Sequence, residues 1–238
     1  MSPTSAQTLL QQYHAVCSQI AAACQNAKRE ANEVQLIAVS KTFPVSDIRT
    51  LHTAGQRHFG ENYIQEWLQK TEQLADLSDI VWHVIGDVQS NKTKHVAERA
   101  AWLHTLSRLK IAQRLSQQRP RHLPPLQVCI EVNIANEANK HGVPSADAVN
   151  LALEIAKLPN LNVRGFMCVA KADSNERELR QQFATMQNLL SELQQKGIAA
   201  DTLSMGMSGD MNIAIACGAT QVRVGSAIFG RRDYGVNA

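Results

Sequence analysis

No apolar run in this chain approaches the ~20 residues that a membrane-spanning helix needs. The start, MSPTSAQTLLQQYH, lacks a basic stretch followed by an apolar one, so no secretory leader is expected. Neither sign of charge dominates. The 24 basic and 21 acidic residues leave a net charge of +3, spread along the chain, which gives no footprint for nucleic acid but fits a small anionic ligand. Aromatic residues are scarce, at 5%. The five cysteines, Cys17, Cys24, Cys129, Cys168 and Cys217, are odd in number and form no CxxC pair, which argues against a disulfide framework. Three of them sit in apolar runs, where a reduced cysteine behaves as a small hydrophobe. A reduced, cytoplasmic chain is expected. Dinucleotide fingerprint, Walker A loop, GxSxG elbow, zinc-like ligand spacing, repeat and low-complexity segment are all missing, which removes the function classes that depend on them.

What the chain does have is hydrophobic substance, 44% of its 238 residues, and a regular alternation of element types. Leu9, Tyr13, Val16 and Ile20 share one face of an opening helix. The apolar run Leu36 to Val39 suits a strand buried on both faces. Further strands are expected at Arg57–Asn62, Ile80–Ile85, Ala101–Leu106, Leu126–Val132, Val163–Val169, Thr202–Met205 and Gln221–Phe229. Helical segments follow them, one capped by Ser46 and ending near Gly55, another capped by Ser107. The longest has Leu179, Phe183, Met186, Leu190 and Leu193 on one face and ends at Gly197. Strand–helix alternation implies parallel pairing through crossover units. Eight units in about 200 residues predict an α/β fold, a single (β/α)8 TIM-type barrel with an extra N-terminal helix, over one domain at 1–238. An open doubly wound sheet is the structural alternative.

In such a barrel, function sits at the C-terminal ends of the strands. The first strand ends in Val39-Ser40-Lys41-Thr42. A lysine there is unusual, because a buried ammonium is costly unless paired or neutralised. A desolvated lysine is also a good nucleophile toward an aldehyde. The plainer account is a lysine that reaches solvent or pairs with a carboxylate such as Glu61. The second strand ends in Gly60-Glu61-Asn62-Tyr63, where Asn62 can hydrogen-bond a ligand. Strand three carries His83, which alone reads best as a satisfied core residue. Strand five ends in Glu131-Val132-Asn133, with Lys140-His141-Gly142 in the loop behind it.

The C-terminal part says more. Five of the 12 glycines fall between Gly206 and Gly230. They cluster with Ser208 and Ser226 in the loops after strands seven and eight, where barrels often bind phosphate. Glycine lets a backbone N–H approach a phosphate oxygen closely, the serines add hydroxyl donors, and a helix start beside them adds partial positive charge. Arg223 lies two residues before Gly225, on the same strand face. A lysine on strand one and a phosphate site at strands seven and eight together describe a ligand with an aldehyde at one end and a phosphate at the other. Pyridoxal 5′-phosphate and a sugar phosphate both satisfy that description.

The motifs themselves resemble one family. Ala38-Val39-Ser40-Lys41-Thr42, His58-Phe59-Gly60-Glu61-Asn62-Tyr63 with Gln65-Glu66, Trp82-His83 through Ile85-Gly86 with Gln89 and Asn91-Lys92, Leu203 to Ser208 with Asp210, and Val222-Arg223 with Gly225 and Ile228-Phe229-Gly230 are similar to those of the pyridoxal phosphate homeostasis (binding) proteins. That family shares its fold with the barrel domain of alanine racemase. Asn133, Lys140 and Gly142 match a further stretch, and the likeness runs from the N-terminal helix to Tyr234. It implies that Lys41 carries pyridoxal 5′-phosphate as a Schiff base and that Ser208, Gly225 and Ser226 bind its phosphate. It also implies that Arg223 faces the pyridine nitrogen. Three positions depart: Phe43 stands where some relatives have a second lysine, Asp87 where Pro or another uncharged residue is common, and Ser226 where Thr is common.

The expectation is therefore a cytoplasmic, monomeric protein of cofactor homeostasis. It holds pyridoxal 5′-phosphate at Lys41, Asn62, Ser208, Arg223, Gly225 and Ser226, passes it to apoenzymes that need it, and has no catalytic residues, metal, nucleic acid or membrane partner. A small amino-acid racemase is the alternative function, and it needs a second base opposite Lys41, for which His83 and Tyr63 are the candidates. In alanine racemase that base comes from a further β-domain, which this sequence, ending just after strand eight, is not expected to have. A class I aldolase acting on a sugar phosphate is the other alternative.

Overall fold

A computed structural model describes residues 6–137 and 140–230. Eight parallel strands close into one barrel in chain order: β1 (Gln35–Val39), β2 (His58–Glu61), β3 (Val81–Val84), β4 (Trp102–Leu106), β5 (Leu126–Val132), β6 (Leu161–Cys168), β7 (Thr202–Ser204) and β8 (Gln221–Val224). Closure is made by β8 on β1, where Ile37 lies opposite Arg223. Helices α1 (Ala6–Asn26), α2 (Val45–Thr53), α3 (Ile64–Gln73), α4 (Thr93–Arg99), α5 (Leu109–Gln118), α6 (Ser145–Ala156), α7 (Glu176–Gln195), α8 (Met211–Ala216) and α9 (Ser226–Phe229) accompany them. The expected TIM-type barrel with an extra N-terminal helix is what forms.

The physical reasons match the sequence pattern. In α1, Leu9, Tyr13, Val16 and Ile20 are buried on one stripe, and that stripe packs on α2, α8 and α9 across the closing seam. The strands, covered by helices outside and side chains inside, are short and mostly buried, with polar side chains such as His83, His104 and Arg223 set among the apolar ones. The long helix α7 starts with a reciprocal cap: Asn175 Oδ1 accepts from the Glu178 N–H at 3.0 Å, and Glu178 Oε2 accepts from the Asn175 N–H at 3.0 Å.

Three expectations fail locally. Ser46 does not cap α2; Pro44 is the cap residue, in an extended conformation that starts the helix two residues earlier. Ser107 does not cap α5, which begins after Arg108. The eighth strand stops at Val224 and not at Phe229. Gly225 turns the chain out of the sheet, and the N–H groups of Ile228 and Phe229 both return to its carbonyl at 2.9 Å, forming α9. Tyr234, the end of the sequence likeness, lies outside the described residues.

Candidate functional site

Strand alternation sends Ile37 and Val39 into the barrel: a Cβ on Gly60 of the neighbouring strand would lie 2.9 Å from Ile37 Cγ2 and 3.5 Å from Val39 Cγ2. Lys41, two residues on, therefore follows them inward. It lines a cavity of ≈ 480 Å³ at the C-terminal mouth. The same cavity is lined by Asn62, Ser208, Arg223, Gly225 and Ser226. All six residues singled out from the sequence thus meet in one space, contributed by the ends of β1, β2, β7 and β8.

The backbone carrying Lys41 is clamped. The Ser40 N–H donates to the Gly60 carbonyl at 3.1 Å, and the Phe43 N–H closes a turn on the Ser40 carbonyl at 3.1 Å. Thr42 sits at φ 69°, a left-handed conformation rare for a β-branched residue. Its N–H donates to Glu66 Oε1 at 2.6 Å, which offsets that strain. Behind the turn, Ser40 Oγ donates to Glu61 Oε1 at 2.7 Å, and Lys70 Nζ donates to both Glu61 Oε1 and the Ser40 carbonyl at 2.7 Å. Glu61 points away from the cavity, so its partner is Lys70 and not Lys41. Burial pushes the Glu61 carboxyl up, while the Lys70 ammonium and the Ser40 hydroxyl pull it back down.

On the opposite side, Ser226 Oγ and Ser208 Oγ face each other at 3.4 Å, from two different loops. Gly206 makes the first of those loops possible. It has φ +96°, and a Cβ there would stand 2.7 Å from Ala214 Cβ. The helices that follow are only six and four residues long, so the donors here are hydroxyl and backbone groups more than a helix dipole. Phe43 stacks on Phe229, which ties the Lys41 turn to the Ser226 segment.

Arg223 is 5% exposed and reaches into the cavity from below. Its guanidinium donates to Ser204 Oγ at 2.7 Å and to the Cys168 carbonyl at 2.9 Å. Burial lowers its pKa from the usual arginine value, but not enough to remove the charge of so strong a base.

The two acid–base candidates named from sequence lie elsewhere. His83 is fully buried inside the barrel, with its ring nitrogens against His58 and His104. Tyr63 is exposed and lines an adjoining cavity of ≈ 610 Å³, with Gln65, Gln89, Lys92 and His141. That cavity shares Asn62, Ile85 and Glu131 with the first. Gly86 shapes it, since a Cβ there would stand 2.1 Å from the Asn62 carbonyl oxygen. Glu131 had no role assigned from its place in the sequence, yet this carboxyl faces both cavities from β5, four strands round the barrel from Lys41. Burial raises its pKa, His141 lowers it in part, and Oε2 is buried without a hydrogen-bond partner. Its position at the end of a strand was the available signal. Of the loop residues, Asn133 closes its own turn by donating to the Glu137 carbonyl at 2.8 Å, and Gly142 holds φ +101°. Among the described residues, no group of three or more His, Cys, Asp or Glu could hold a metal ion, and no helix is long and apolar enough to cross a membrane.

Known proteins resemble this chain. A family model described as alanine racemase, N-terminal domain, matches residues 17–233. The pyridoxal phosphate homeostasis protein of Pseudomonas aeruginosa is 48% identical over 231 residues, covering 97% of this chain and 99% of that one. A solved structure of an unknown protein from Bifidobacterium adolescentis superposes with a TM-score of 0.90 at 32% identity, covering 96% of this chain and 97% of the other. PipY of Synechococcus elongatus, in its structure with PLP bound, superposes with a TM-score of 0.77 at 36% identity, covering 83% and 93%. Alanine racemase from Corynebacterium glutamicum gives a TM-score of 0.68 at 16% identity, over 94% of this chain and 63% of the enzyme. At that identity the likeness is one of fold.

Proposed function

This chain belongs to the pyridoxal phosphate homeostasis protein family, and we propose that its Lys41 cavity holds pyridoxal 5′-phosphate as a Schiff base on Lys41. The observation that carries the reading is the convergence of a strand-end lysine and two Gly/Ser loops on one cavity of ≈ 480 Å³. The fit is chemical as well as spatial. Lys41 supplies an amine from one wall. Ser208, Gly225 and Ser226 supply neutral donors suited to a phosphate from another. Arg223 supplies a fixed cation and donor between them, and Asn62 a polar contact at the rim. Val39, Ile85, Met167 and Val169 give apolar surface for a ring. When bound, the cofactor supplies an aldehyde that condenses reversibly with an amine. Its sequestration here keeps that aldehyde from other amines in the cell.

The relatives at 45–48% identity are named as homeostasis proteins and not as enzymes. Storage and release, rather than turnover, is the role this favours. Receiving apoenzymes are the partners we assign. The large hydrophobic side chains exposed on the described surface, Tyr63, Val169 and Met207, all border the two cavities. We read residues 1–238 as one domain, because consecutive strands close a single barrel, and the protein as a monomer. Five free cysteines are consistent with a reducing cytoplasm.

The test is direct. Purified protein mixed with pyridoxal 5′-phosphate should gain a visible absorbance band, and borohydride should fix the cofactor on the peptide containing Lys41. Labelling of a different lysine refutes the site. Pyridoxal without phosphate should bind at least tenfold more weakly, since each charge-assisted hydrogen bond it loses contributes roughly 1.5–3 kcal/mol. Equal affinity refutes the phosphate assignment to Ser208, Gly225 and Ser226.

A further inference from the structure

A continuous line of hydrogen bonds crosses the inside of the barrel from β2 to β8. His58 Nδ1 lies 2.9 Å from His83 Nε2, and His83 Nδ1 lies 2.9 Å from His104 Nε2. His104 Nδ1 lies 2.8 Å from Ser204 Oγ, which accepts from Arg223 at 2.7 Å. We propose that Ser204, His104, His83 and His58 are positioning residues for Arg223: a hydrogen-bond chain of one fixed polarity that holds the guanidinium under the Lys41 cavity and keeps its charge available there. The role toward the cofactor rests on the reading of that cavity given above.

The polarity follows from counting donors. Arg223 can only donate, so Ser204 Oγ accepts from it. Ser204 is fully buried, and its own hydroxyl hydrogen needs an acceptor. Among the described residues, the neighbour in reach besides Arg223 is His104 Nδ1. Were that nitrogen protonated, the serine hydrogen would be stranded. Ser204 therefore donates to His104 Nδ1. A neutral His104 then carries its proton on Nε2 and donates to His83 Nδ1. By the same step His83 donates from Nε2 to His58 Nδ1, and His58 carries its proton on Nε2. All three rings are neutral Nε2–H tautomers.

Neutrality is secured by the surroundings. His83 and His104 are fully buried, and Trp102 lies against both rings, stacked on His83 at 5.6 Å. Burial drives both pKa values well below the usual histidine value, and the Arg223 charge adds to the effect on His104. Every N–H in the chain points away from Arg223, so each dipole turns its negative end to the cation, and successive bonds polarise one another. This matters because, among the described residues, the two hydrogen-bond partners of Arg223 are neutral oxygens and neither is a carboxylate. Asp210 and Glu131 act on it only over distance. A contacting carboxylate would quench the charge; oriented dipoles stabilise it in the dry barrel and leave it to act on the cavity.

Two measurements decide this. The first needs no ligand. Two-bond 1H–15N spectra of 15N-histidine-labelled protein at pH 7 should show His58, His83 and His104 as neutral Nε2–H tautomers. An Nδ1–H tautomer at His83 or His104, or an imidazolium at either, overturns the chain. The second uses protein loaded with pyridoxal 5′-phosphate carrying a 15N ring label. Ser204→Ala should weaken cofactor binding by about tenfold or more and shift the ring 15N signal, and Ser204→Thr should restore both. If Ser204→Ala leaves affinity and signal unchanged while borohydride still fixes the cofactor at Lys41, the positioning role is wrong and the cofactor site stands. If the unmodified protein fixes no cofactor at Lys41, the cofactor reading fails, and the tautomer spectrum alone decides whether the chain has this polarity.

Discussion

Phe43 stacks on Phe229 with ring centroids 5.0 Å apart and planes 24° apart. The contact joins the turn that carries Lys41 to the short helix that begins at Ser226. Phe43→Ala removes the stack and part of the apolar cover of α9. It should destabilise the fold by about 2 kcal/mol, less than a fully buried phenylalanine would cost. Phe43→Lys should lose a similar amount, because an ammonium does not replace the ring face against Phe229. Urea unfolding measures both. If Phe43→Lys is as stable as the parent, the stack is not a structural tie.

The clamp behind Lys41 gives a sharper contrast. Glu61 and Lys70 are both buried, at 2.7 Å, and Glu61 Oε2 has no hydrogen-bond partner. Lys70→Met strands a carboxylate in the interior and should cost about 3–5 kcal/mol. Glu61→Gln should cost distinctly less, because Lys70 keeps Glu66 at 2.6 Å. The raised Glu61 pKa adds a sign: in Lys70→Met the loss should shrink at low pH, where the stranded carboxyl protonates. Equal losses for the two variants at pH 7 would show that the buried carboxylate is not the costly element.

The barrel was legible in the sequence because apolar runs of four to seven residues alternate with helical stripes, and Lys41, Arg223 and the Gly/Ser loops stand at strand ends where a barrel puts its site. The errors fall where local chemistry has two solutions. Ser46 and Ser107 are good cap residues, but Pro44 starts α2 earlier and α5 begins after Arg108. Ile228 and Phe229 suit a strand as well as a helix, and the turn at Gly225 decides between them. Glu61 beside a lysine suggested a pair with Lys41; strand alternation puts the two on opposite faces, and the true partner, Lys70, comes from α3. The histidine line could not be read at all. His58, His83 and His104 are 25 and 21 residues apart, and only the barrel register makes them neighbours.

That line predicts an acid-sensitive fold. His83 and His104 have folded-state pKa values well below the usual value, chiefly through burial. The unfolded chain, with histidines near 6.5, therefore binds more protons below that pH. Stability is fully present above pH ~6.5 and falls as the pH drops beneath it, by about 1.4 kcal/mol per pH unit for each histidine. Glu61 and Glu131, with raised pKa values, work in the opposite sense from the carboxylate range upward and blunt the slope toward its lower end. Urea midpoints between pH 8 and 5 should show the decline, to which the lowered pKa of His58 adds, and His104→Gln should make it shallower. A flat profile across that range would contradict the buried, neutral chain.

The last expectation concerns turnover. Carbanion chemistry at an amino acid's α-carbon is supported best when the cofactor ring nitrogen is protonated, which a carboxylate partner favours. Arg223, the residue proposed to face that nitrogen, only donates and stays charged, so it opposes protonation. The racemase alternative needs a well-placed second base. The sequence candidates do not serve here: His83 is sealed in the barrel with both nitrogens against other histidines, and Tyr63 lines the adjoining cavity. Among the described residues, Glu131 is the other acid–base side chain lining the cavity besides Lys41 and Arg223. Burial raises its pKa, and it stands four strands round the barrel from Lys41. Loaded protein incubated with L-alanine in deuterated water should therefore exchange the α-proton far below ~1 s⁻¹, the lower end of ordinary enzymatic rates, and form no D-isomer. Any slow exchange should fall further in Glu131→Gln. Formation of D-alanine at ordinary enzymatic rates would make the protein a racemase, and its loss in Glu131→Gln would identify the second base.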